Sequence, residues 1–202
     1  MDRRGSMKQI VIGLTGPIAG GKGAVAEILK NLGAVCFSLS DRVREVATEK
    51  RHSHERKNLQ DVGDDLRKTL GGGVLAKLTA AKAFVIAPNA PLIVIDSIRN
   101  PGEIEFLRQH KGFILVAVTA SQDIRFERLR KRNRPSDPKE KESFLVADNR
   151  DLGIGQESLG QQVGACIEMA DLVFENNGDA TNIKTFVSGR VLPEIEKRRS
   201  RL

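Results

Sequence analysis

Continuous apolar runs alternate with segments of helical periodicity along most of this chain. The apolar runs begin near five positions, at residues 9, 34, 91, 112 and 171. Runs of this length without polar alternation predict strands that are buried on both faces of a parallel sheet. Since the segments between them have helical spacing, the order predicts an α/β fold, a five-stranded parallel sheet with helices on both faces.

The predicted helices have apolar residues three and four positions apart. The strongest start signal combines Asn100 as N-cap, Pro101 at the first helical position and Glu103 at the third. The last helix is expected to be interrupted near Gly189 and Pro193. The helices are predicted at residues 24–32, 41–50, 59–70, 74–84, 100–110, 121–131, 143–152, 161–170 and 181–197.

The 202 residues are expected to form one domain with two largely helical insertions. Each insertion leaves the carboxyl end of a strand, where doubly wound sheets bind ligands. We therefore expect both to flank a site. The boundaries predicted are a core of residues 7–40, 91–120 and 156–202, a first insertion at 41–90 and a second at 121–155.

The formal net charge of +7 allows two interpretations, a nucleic-acid surface or a site for polyanionic small molecules. Many arginines lie between Arg125 and Arg150, and Lys197, Arg198, Arg199 and Arg201 end the chain. Aromatic residues make up only 4% of the chain, which disfavours base stacking along a single strand. Nucleic acid is therefore not expected as the main substrate.

Other classes of function find little support in the composition. The two cysteines, Cys36 and Cys166, are too few and too distant for a disulfide scaffold or a metal knuckle. No apolar run approaches the length of a membrane span. The first eight residues lack the apolar region of a signal peptide and are expected to form a short arm. We therefore expect a cytoplasmic protein without a membrane partner.

A glycine loop, GPIAGGKG, follows the first predicted strand directly. The phosphate-binding motif is G-x-x-x-x-G-K followed by Ser or Thr, so the loop matches in everything except the final hydroxyl. Glycines let backbone N–H groups approach phosphate oxygens, and the next helix adds its dipole. The loop predicts a site for ATP with Mg²⁺, formed by Gly16, Ala19, Gly20, Gly21, Lys22, Gly23 and Ala24.

Three polar residues at strand ends are candidates for the chemistry. Asp41 could accept the proton of an acceptor hydroxyl or help to place magnesium through water, or it could cap a helix. Asp96 ends a buried strand, where it could hold magnesium through water. Arg99 could grip an acceptor phosphate, or it could form a salt bridge with Asp96 or Glu103.

Arginines in the second insertion could stabilise the charge of a transferring phosphoryl group. Arg128 shares a predicted helical face with Arg125 and Arg132. A charge run can also be a solvated face, so we assign this catalytic role only to Arg128, Arg132 and Arg150. In the first insertion, Arg44 and Arg67 could line an acceptor site.

These motifs together resemble the nucleoside monophosphate kinase superfamily of P-loop proteins. Dephospho-CoA kinases share the GLTG start of the loop, Asp41 after the second strand and the A-D-x-V-x-x-N-x-G pattern at Ala170 to Gly178. A group of bacterial and archaeal kinase-like phosphate-loop ATPases is more similar still. It matches at residues 96–105 and 120–128.

The resemblance implies that the first insertion binds the acceptor, that the second is a lid, and that Asn177 and Gly178 lie near the adenine. It implies an ATP- and Mg²⁺-dependent kinase for a nucleotide-like acceptor, either dephospho-CoA or a (deoxy)nucleoside monophosphate. Adenylate kinase-like loops carry Gly and then Thr after the lysine, whereas this chain has Gly23 and Ala24. The missing hydroxyl leaves open the alternative of an ATP-binding regulator with little turnover. A third reading is a nucleic-acid-associated protein that uses the basic tail.

Overall fold

A five-stranded parallel sheet forms the centre of the computed structural model, which describes residues 9–202. The strands are numbered in chain order and lie in the order β2-β3-β1-β4-β5. This confirms the predicted fold class. The predicted N-terminal arm, with residues 7 and 8 of the predicted core, lies outside the described residues. The strands are β1 (Ile10–Thr15), β2 (Val35–Ser38), β3 (Leu92–Ile98), β4 (Phe113–Thr119) and β5 (Leu172–Glu175).

Helices connect the strands and cover the sheet. They are α1 (Lys22–Asn31), α2 (Leu39–Glu49), α3 (Arg56–Leu70), α4 (Val74–Ile86), α5 (Pro101–Leu107), α6 (Gln122–Arg132), α7 (Lys141–Leu152), α8 (Val163–Glu168), α9 (Ala180–Phe186) and α10 (Leu192–Ser200). A capping box starts α5, as predicted. The Asn100 side chain accepts a hydrogen bond from the Gly102 N–H, and the Glu103 carboxylate accepts one from the Asn100 N–H.

The predicted interruption of the last helix takes a different form. A π-helical turn, Val187–Val191, joins α9 to α10 without a break. Pro193 has no N–H to donate to the carbonyl four residues earlier, and a wider turn accommodates such a gap without ending the helix. Gly189 lies inside this turn. The α-helical pattern is therefore interrupted near Gly189, as expected, but by a π turn that keeps the chain helical through Pro193.

The sheet has an aliphatic core on each face, because successive strand residues point in opposite directions. Ile93 and Ile95 face the helices of the first insertion, whereas Leu92 and Val94 face α1, α9 and α10. Helix residues of the first core include Val43, Val46, Val62, Leu75 and Ile104. Those of the second include Val25, Leu29, Ile183, Val191 and Ile195. The first insertion therefore covers one face of the sheet.

Helices α6 and α7 of the second insertion pack over the glycine loop through a small cluster of their own. Ile18 of the loop, Leu129 and Phe144 are all buried there. Arg125 lies inside this insertion, paired with buried Asp148 and 5.6 Å from the centre of the Phe144 ring. Arg125 is thus a buried packing residue, whereas Arg128 and Arg132 on the same helix line the cleft beside the loop.

Helices α3 and α4 follow each other closely in the chain. Within residues 9–202, no single helix is long and apolar enough to span a membrane. Taken together, α3 and α4 pass that test, but they are bent by 92° at the break between them. Several of their apolar residues belong to the core beneath them, including Val62, Val74 and Leu75.

Candidate active site

The glycine loop lies tightly against the end of β4. A Cβ atom at Gly16 or Gly20 would lie 2.1 or 2.5 Å from the Val118 carbonyl oxygen, so neither position accepts a side chain. Gly16 also has a φ of 133° and Gly21 a φ of 116°, in the left-handed region that favours glycine. Glycine is therefore required at both tight points of the loop, which lets its backbone pass close to β4 and would let its N–H groups approach a phosphate.

Lys22 folds over this loop. Its Nζ donates hydrogen bonds to the carbonyl oxygens of Gly16, at 2.6 Å, and Pro17, at 3.0 Å. Burial lowers the pKa of Lys22 from 10.5 to about 8, against the opposing attraction of Asp96 and with the support of Arg99. The ammonium group is thus held in place, but its positive charge is only partly balanced by nearby negative charge. A bound polyphosphate would supply that negative charge.

The two positions after Lys22 are open. Gly23 and Ala24 are exposed in the first turn of α1, and a Cβ atom at Gly23 would meet nothing within 4 Å. The space for a hydroxyl-bearing side chain at position 23 is therefore present, and only the hydroxyl is absent. Packing does not explain why the chain has glycine there.

Asp96 lies in a bulge near the end of β3, where the register with β1 shifts. Its Oδ1 accepts the Ser97 N–H at 2.6 Å, and Ser97 itself has a φ of 69°. The Ser97 hydroxyl lies 3.3 Å from that of Ser38, at the end of β2. The bulge thus directs one carboxylate and two hydroxyl groups to the edge of the sheet that carries the glycine loop.

The carboxylate and hydroxyl oxygens of Asp96, Ser38 and Ser97 suit a magnesium ion that also binds substrate phosphates. They are too few to hold a metal ion by themselves. Within the described residues, no group of three or more His, Cys, Asp or Glu side chains could hold an ion. Magnesium keeps several waters and commonly binds through one or two carboxylates together with substrate phosphates. Asp96, with Ser38 and Ser97 beside it, provides such a partial site.

Asp41 is exposed in the first turn of α2 and pairs with Arg44 at 3.0 Å. The alternative that Asp41 caps this helix was wrong, because the cap is Ser38, whose Oγ accepts the Ser40 N–H at 3.2 Å. The helix starts two residues earlier than the sequence suggested. Asp41 therefore keeps its carboxylate directed at solvent beside the loop.

A cleft of about 600 Å³ opens between the glycine loop, the ends of β2 and β3, and the second insertion. It brings together most of the residues that the sequence singled out. Those that line it are Ala19, Gly20, Gly21, Lys22, Gly23, Ala24, Asp41, Asp96, Arg99, Arg128 and Arg132. Gly16, the first residue of the loop, does not line the cleft, and neither do Arg150, Asn177 and Gly178.

Two arginines of α6 face this cleft. Arg128 lies against the loop, with its guanidinium donating to the carbonyl oxygens of Gly20, at 3.5 Å, and Gly178, at 3.2 Å. Arg132 forms a two-pronged pair with Asp137, at 2.7 and 2.8 Å. Both guanidiniums therefore reach the phosphate side of the cleft from one helix.

Arg150 is placed elsewhere. Its guanidinium pairs with Asp61 and Asp64 of α3, each at 2.7 Å. Burial lowers the pKa of Arg150, but the hydrogen bonds and charges of Asp64 and Asp61 outweigh this effect and raise the pKa overall. The structure therefore does not bring Arg150 to the cleft, because the helix face that carries it turns toward α3.

Arg99 pairs with a residue that the sequence did not suggest. Its backbone N–H donates to Glu103 at 2.7 Å, but its guanidinium pairs with Asp151 rather than with Asp96 or Glu103. Arg56, at the start of α3, reaches the same carboxylate at 3.0 Å. Sequence reasoning missed Arg56 and Asp151, since no local motif relates residues that are so far apart in the chain.

The turn after β5 supports the loop. Buried Asn176 donates from its side chain to the Gly20 carbonyl at 3.0 Å and from its backbone to the Thr119 carbonyl at 2.7 Å. Asn177 accepts the Ser121 N–H at 2.8 Å. The turn therefore links the loop to the start of α6, and Asn176 is its structural anchor. The sequence pointed to this turn, Asn176 to Gly178, as a segment near the adenine, with Asn177 and Gly178 as the binding residues.

A second, smaller pocket of about 40 Å³ adjoins the cleft between α2, α3 and the end of β3. Its polar lining includes Arg44, Arg56, Arg67 and Arg99. Arg67 is buried and paired with Glu103 at 2.9 Å and Asp64 at 3.3 Å. The other three arginines also line the main cleft, so the two spaces share one basic wall.

Comparison with known proteins shows which sequences this chain resembles. The family model described as AAA domain matches residues 12–149. A UPF0200 protein from Pyrococcus horikoshii is 34% identical over 171 residues, covering 83% of this chain and 88% of that protein. UPF0200 proteins from Pyrococcus furiosus and Thermococcus gammatolerans are 32% and 33% identical over comparable lengths.

Solved structures show a similar fold. The protein TT1252 from Thermus thermophilus superposes with a TM-score of 0.60 at 20% identity, covering 92% of this chain and 97% of that one. Shikimate kinase from Bacteroides thetaiotaomicron superposes with a TM-score of 0.54 at 16% identity, covering 93% and 98%. These likenesses confirm the predicted fold class, a P-loop kinase-type fold. With an AAA domain over residues 12–149 and a relative of 34% identity, the chain belongs to the UPF0200 family.

Proposed function

We propose that this protein is an ATP- and Mg²⁺-dependent small-molecule kinase that transfers the γ-phosphoryl group of ATP to a nucleotide-like acceptor. The observation that carries the proposal is the composition of one cleft. A phosphate loop with its lysine, a strand-end aspartate and arginines from three separate segments of the chain line the same space. Phosphoryl transfer depends mainly on positioning and on charge stabilisation, which this set of residues supplies.

The donor phosphates would lie in the loop, against its N–H groups and the start of α1. Lys22 would leave the carbonyl oxygens of Gly16 and Pro17 and contact the β- and γ-phosphates. The adenine would lie near Asn177 and Gly178, beside the first turn of α6. This pose places the γ-phosphate toward Asp96 and the lid arginines.

Asp96 would hold magnesium through water, because positions 23 and 24 have no hydroxyl to contribute. Ser38 and Ser97 are close enough to order the waters around the ion. When bound, magnesium neutralises phosphate charge and fixes the triphosphate geometry. The absence of the loop hydroxyl would weaken the binding of the ion without changing where it lies.

In the transfer step an acceptor oxygen attacks the γ-phosphorus, and the bond from that phosphorus to the β–γ bridging oxygen breaks, which releases ADP. The attacking oxygen of a phosphate acceptor is already anionic, so no proton has to be removed. A hydroxyl acceptor would give its proton to Asp41. Arg128 and Arg132 would stabilise the charge on the transferring group, whereas Arg150 has no part because its guanidinium is held on α3.

Dephospho-CoA and the (deoxy)nucleoside monophosphates are the candidate acceptors. Both are anionic, which agrees with the basic wall shared by the cleft and the smaller pocket. Arg99 would grip the acceptor, since its guanidinium borders both spaces. Dephospho-CoA offers a ribose hydroxyl and would depend on Asp41, whereas a monophosphate would not.

An ATP-binding regulator with little turnover is the second candidate. The open positions at Gly23 and Ala24 favour it, because the missing hydroxyl is the group that usually contacts the magnesium ion. Such a protein would bind ATP at the same loop, yet no acceptor would stimulate ATP consumption.

A nucleic-acid substrate is not proposed. In the described part of the chain, several cations of the basic tail are engaged within α10 itself. Lys197 and Arg198 pair with Glu194, and Arg199 pairs with Glu196. These pairs remove much of the positive charge that a phosphate backbone would need.

The test is an acceptor screen that measures ATP consumption and phosphorylated product with each nucleoside monophosphate and with dephospho-CoA. We expect one class of acceptor to stimulate turnover, and Lys22→Ala to abolish it. Lys30→Ala is the matched control, since Lys30 is exposed on the same helix and outside the cleft. ATP binding without stimulation by any acceptor would instead support the regulator.

A further inference from the structure

A second large space, which we call the side groove, lies between the start of α3, the connection from α6 to α7, and α7 itself. Its volume of about 540 Å³ is within the range of sites for small organic ligands. Three residues, Arg56, Ser136 and Asp137, line both the side groove and the phosphate cleft, so the two spaces are continuous. A molecule whose reactive end lies in the cleft can therefore extend into the groove.

The wall of the side groove is mainly carbon. Pro135 and Pro138 line it on the side of the α6–α7 connection, and Val146 and Ala147 line it on α7. Val146 keeps 73% of its surface exposed, although it is an aliphatic residue on a helix. Removing such surface from water is favourable in proportion to the area covered. The groove is therefore suited to a ligand that brings apolar surface of its own.

The cations of the side groove are neutralised by carboxylates that do not line it. Lys57 pairs with Asp61 at 2.8 Å, and Arg150 pairs with Asp61 and Asp64, each at 2.7 Å. Their aliphatic stems can form part of the wall while the charged ends stay with these partners. Glu55, the N-cap of α3, also lines the groove and would repel an anion. The part of a ligand that enters here is therefore uncharged.

The junction between the groove and the cleft is polar but balanced in charge. Both oxygens of Asp137 accept hydrogen bonds from Arg132, at 2.7 and 2.8 Å. Arg56 pairs with buried Asp151 at 3.0 Å. Ser136 adds a hydroxyl group to the same boundary. The junction therefore marks the place where the polar part of a bound molecule would end and its uncharged part begin.

The connection from α6 to α7 holds its side of the groove in shape. Pro135 and Pro138 each fix a backbone φ angle. The Asp137 N–H donates to the Arg134 carbonyl at 3.0 Å, and the Lys139 Nζ donates to the same oxygen at 3.2 Å. The free protein thus already has a wall that a ligand can contact, which lowers the ordering cost of binding.

We propose that the side groove binds an uncharged, largely apolar arm of the acceptor. The acceptor is then a molecule of two parts, a polar end that receives the phosphoryl group in the cleft and an arm that extends past Ser136. The proposal deepens the kinase function and rests on it for the position of the reactive end. Among the candidate acceptors, dephospho-CoA has such an arm beyond its diphosphate, whereas a nucleoside monophosphate has none.

The arm is located first by binding, without turnover. The methyl resonances of Val146 are assigned from the spectrum of Val146→Ala. The unmodified protein, with ADP in the donor loop, is then titrated with dephospho-CoA or with AMP. We expect the Val146 methyl groups to respond to dephospho-CoA and to stay unmoved with AMP. Unmoved resonances with both compounds, or equal shifts with both, would overturn the proposal.

The contribution of the groove to affinity is tested by Val146→Asp, with Val85→Asp as the matched control. Val85 is 80% exposed on α4 and lines neither the cleft nor the groove. A carboxylate in the groove would have to lose water against the arm, so we expect Val146→Asp to weaken dephospho-CoA binding about tenfold. Binding of AMP should change less than about twofold, and the control should alter neither affinity. Equal losses in the two variants would refute the assignment, and thermal unfolding checks that both are folded.

The outcomes separate the side groove from the kinase assignment. Binding of dephospho-CoA that depends on Val146, in a protein that transfers no phosphate, would support the groove and defeat the proposed function. Transfer to AMP that Val146→Asp leaves unchanged, with no response of Val146 to dephospho-CoA, would support the kinase and overturn the groove. A dimer in sedimentation that Val146→Asp dissociates would assign the groove to a second copy of this chain, which would also overturn the proposal.

Discussion

The affinity of this protein for ATP should fall as the pH rises above 8, because Lys22 loses its proton there. In the free protein the pKa of Lys22 is lowered from 10.5 to about 8, mainly by burial. A triphosphate beside the ammonium group would restore the pKa toward its ordinary value. Binding of ATP is then linked to uptake of a proton, and only the charged form binds well.

The size of the effect follows from these two pKa values. At pH 7 nearly all Lys22 in the free protein is charged, whereas at pH 9 about one molecule in ten is. If the bound form stays charged at both values, the apparent Kd for ATP rises about tenfold between pH 7 and pH 9. Calorimetry in buffers of different ionisation enthalpy should show uptake of close to one proton at pH 9.

Lys22→Arg is the matched control for this experiment. Arginine keeps its charge throughout this range, so the variant should bind ATP with a Kd that is nearly independent of pH. An equally steep dependence in Lys22→Arg would assign the titration to another group. A flat profile in the unmodified protein from pH 7 to pH 9 would refute the reasoning, because Lys22 would then not be the residue that pairs with the phosphates.

Other predictions concern the loop and its supports. Gly23→Ser has room for its side chain and should lower the magnesium concentration needed for ATP binding, measured by titration at fixed ATP. Asp41→Ala should abolish phosphorylation of a hydroxyl acceptor and only weaken that of a phosphate acceptor; equal losses would refute the role of Asp41. Asn176→Ala leaves the Gly20 carbonyl without its buried donor and should lower the free energy of unfolding by about 1–3 kcal/mol, measured by urea denaturation, with weaker ATP binding.

The sequence predicted the sheet and the phosphate loop well, because both depend on local patterns. Each strand starts in an apolar run, and Gly16 and Gly20 of the loop have no space for a side chain beside Val118. The predicted limits of helices were less accurate where they depend on capping or on local helix geometry. Ser38 caps α2, so the helix begins before Asp41. A π turn precedes Pro193, and the chain stays helical through it.

The acceptor side was predicted only in part, because it depends on ion pairs between distant segments. Arg99 was identified from its place after a strand, but its partner Asp151 lies on another insertion. Arg150 and Asp151 are adjacent in the chain, yet Arg150 pairs with Asp61 and Asp64, whereas buried Asp151 pairs with the pocket-lining Arg56 and Arg99. Helical periodicity alone could not decide which of the two neighbours would reach the site.

The most direct test of the kinase assignment follows the γ-phosphate itself. ATP labelled at the γ position is incubated with magnesium and a nucleoside monophosphate, and the label is traced to acceptor, inorganic phosphate or unreacted ATP. A kinase should place the label on the acceptor in step with the formation of ADP, and Lys22→Ala should abolish the transfer. Label found only in ATP and inorganic phosphate, with every acceptor candidate present, would contradict it.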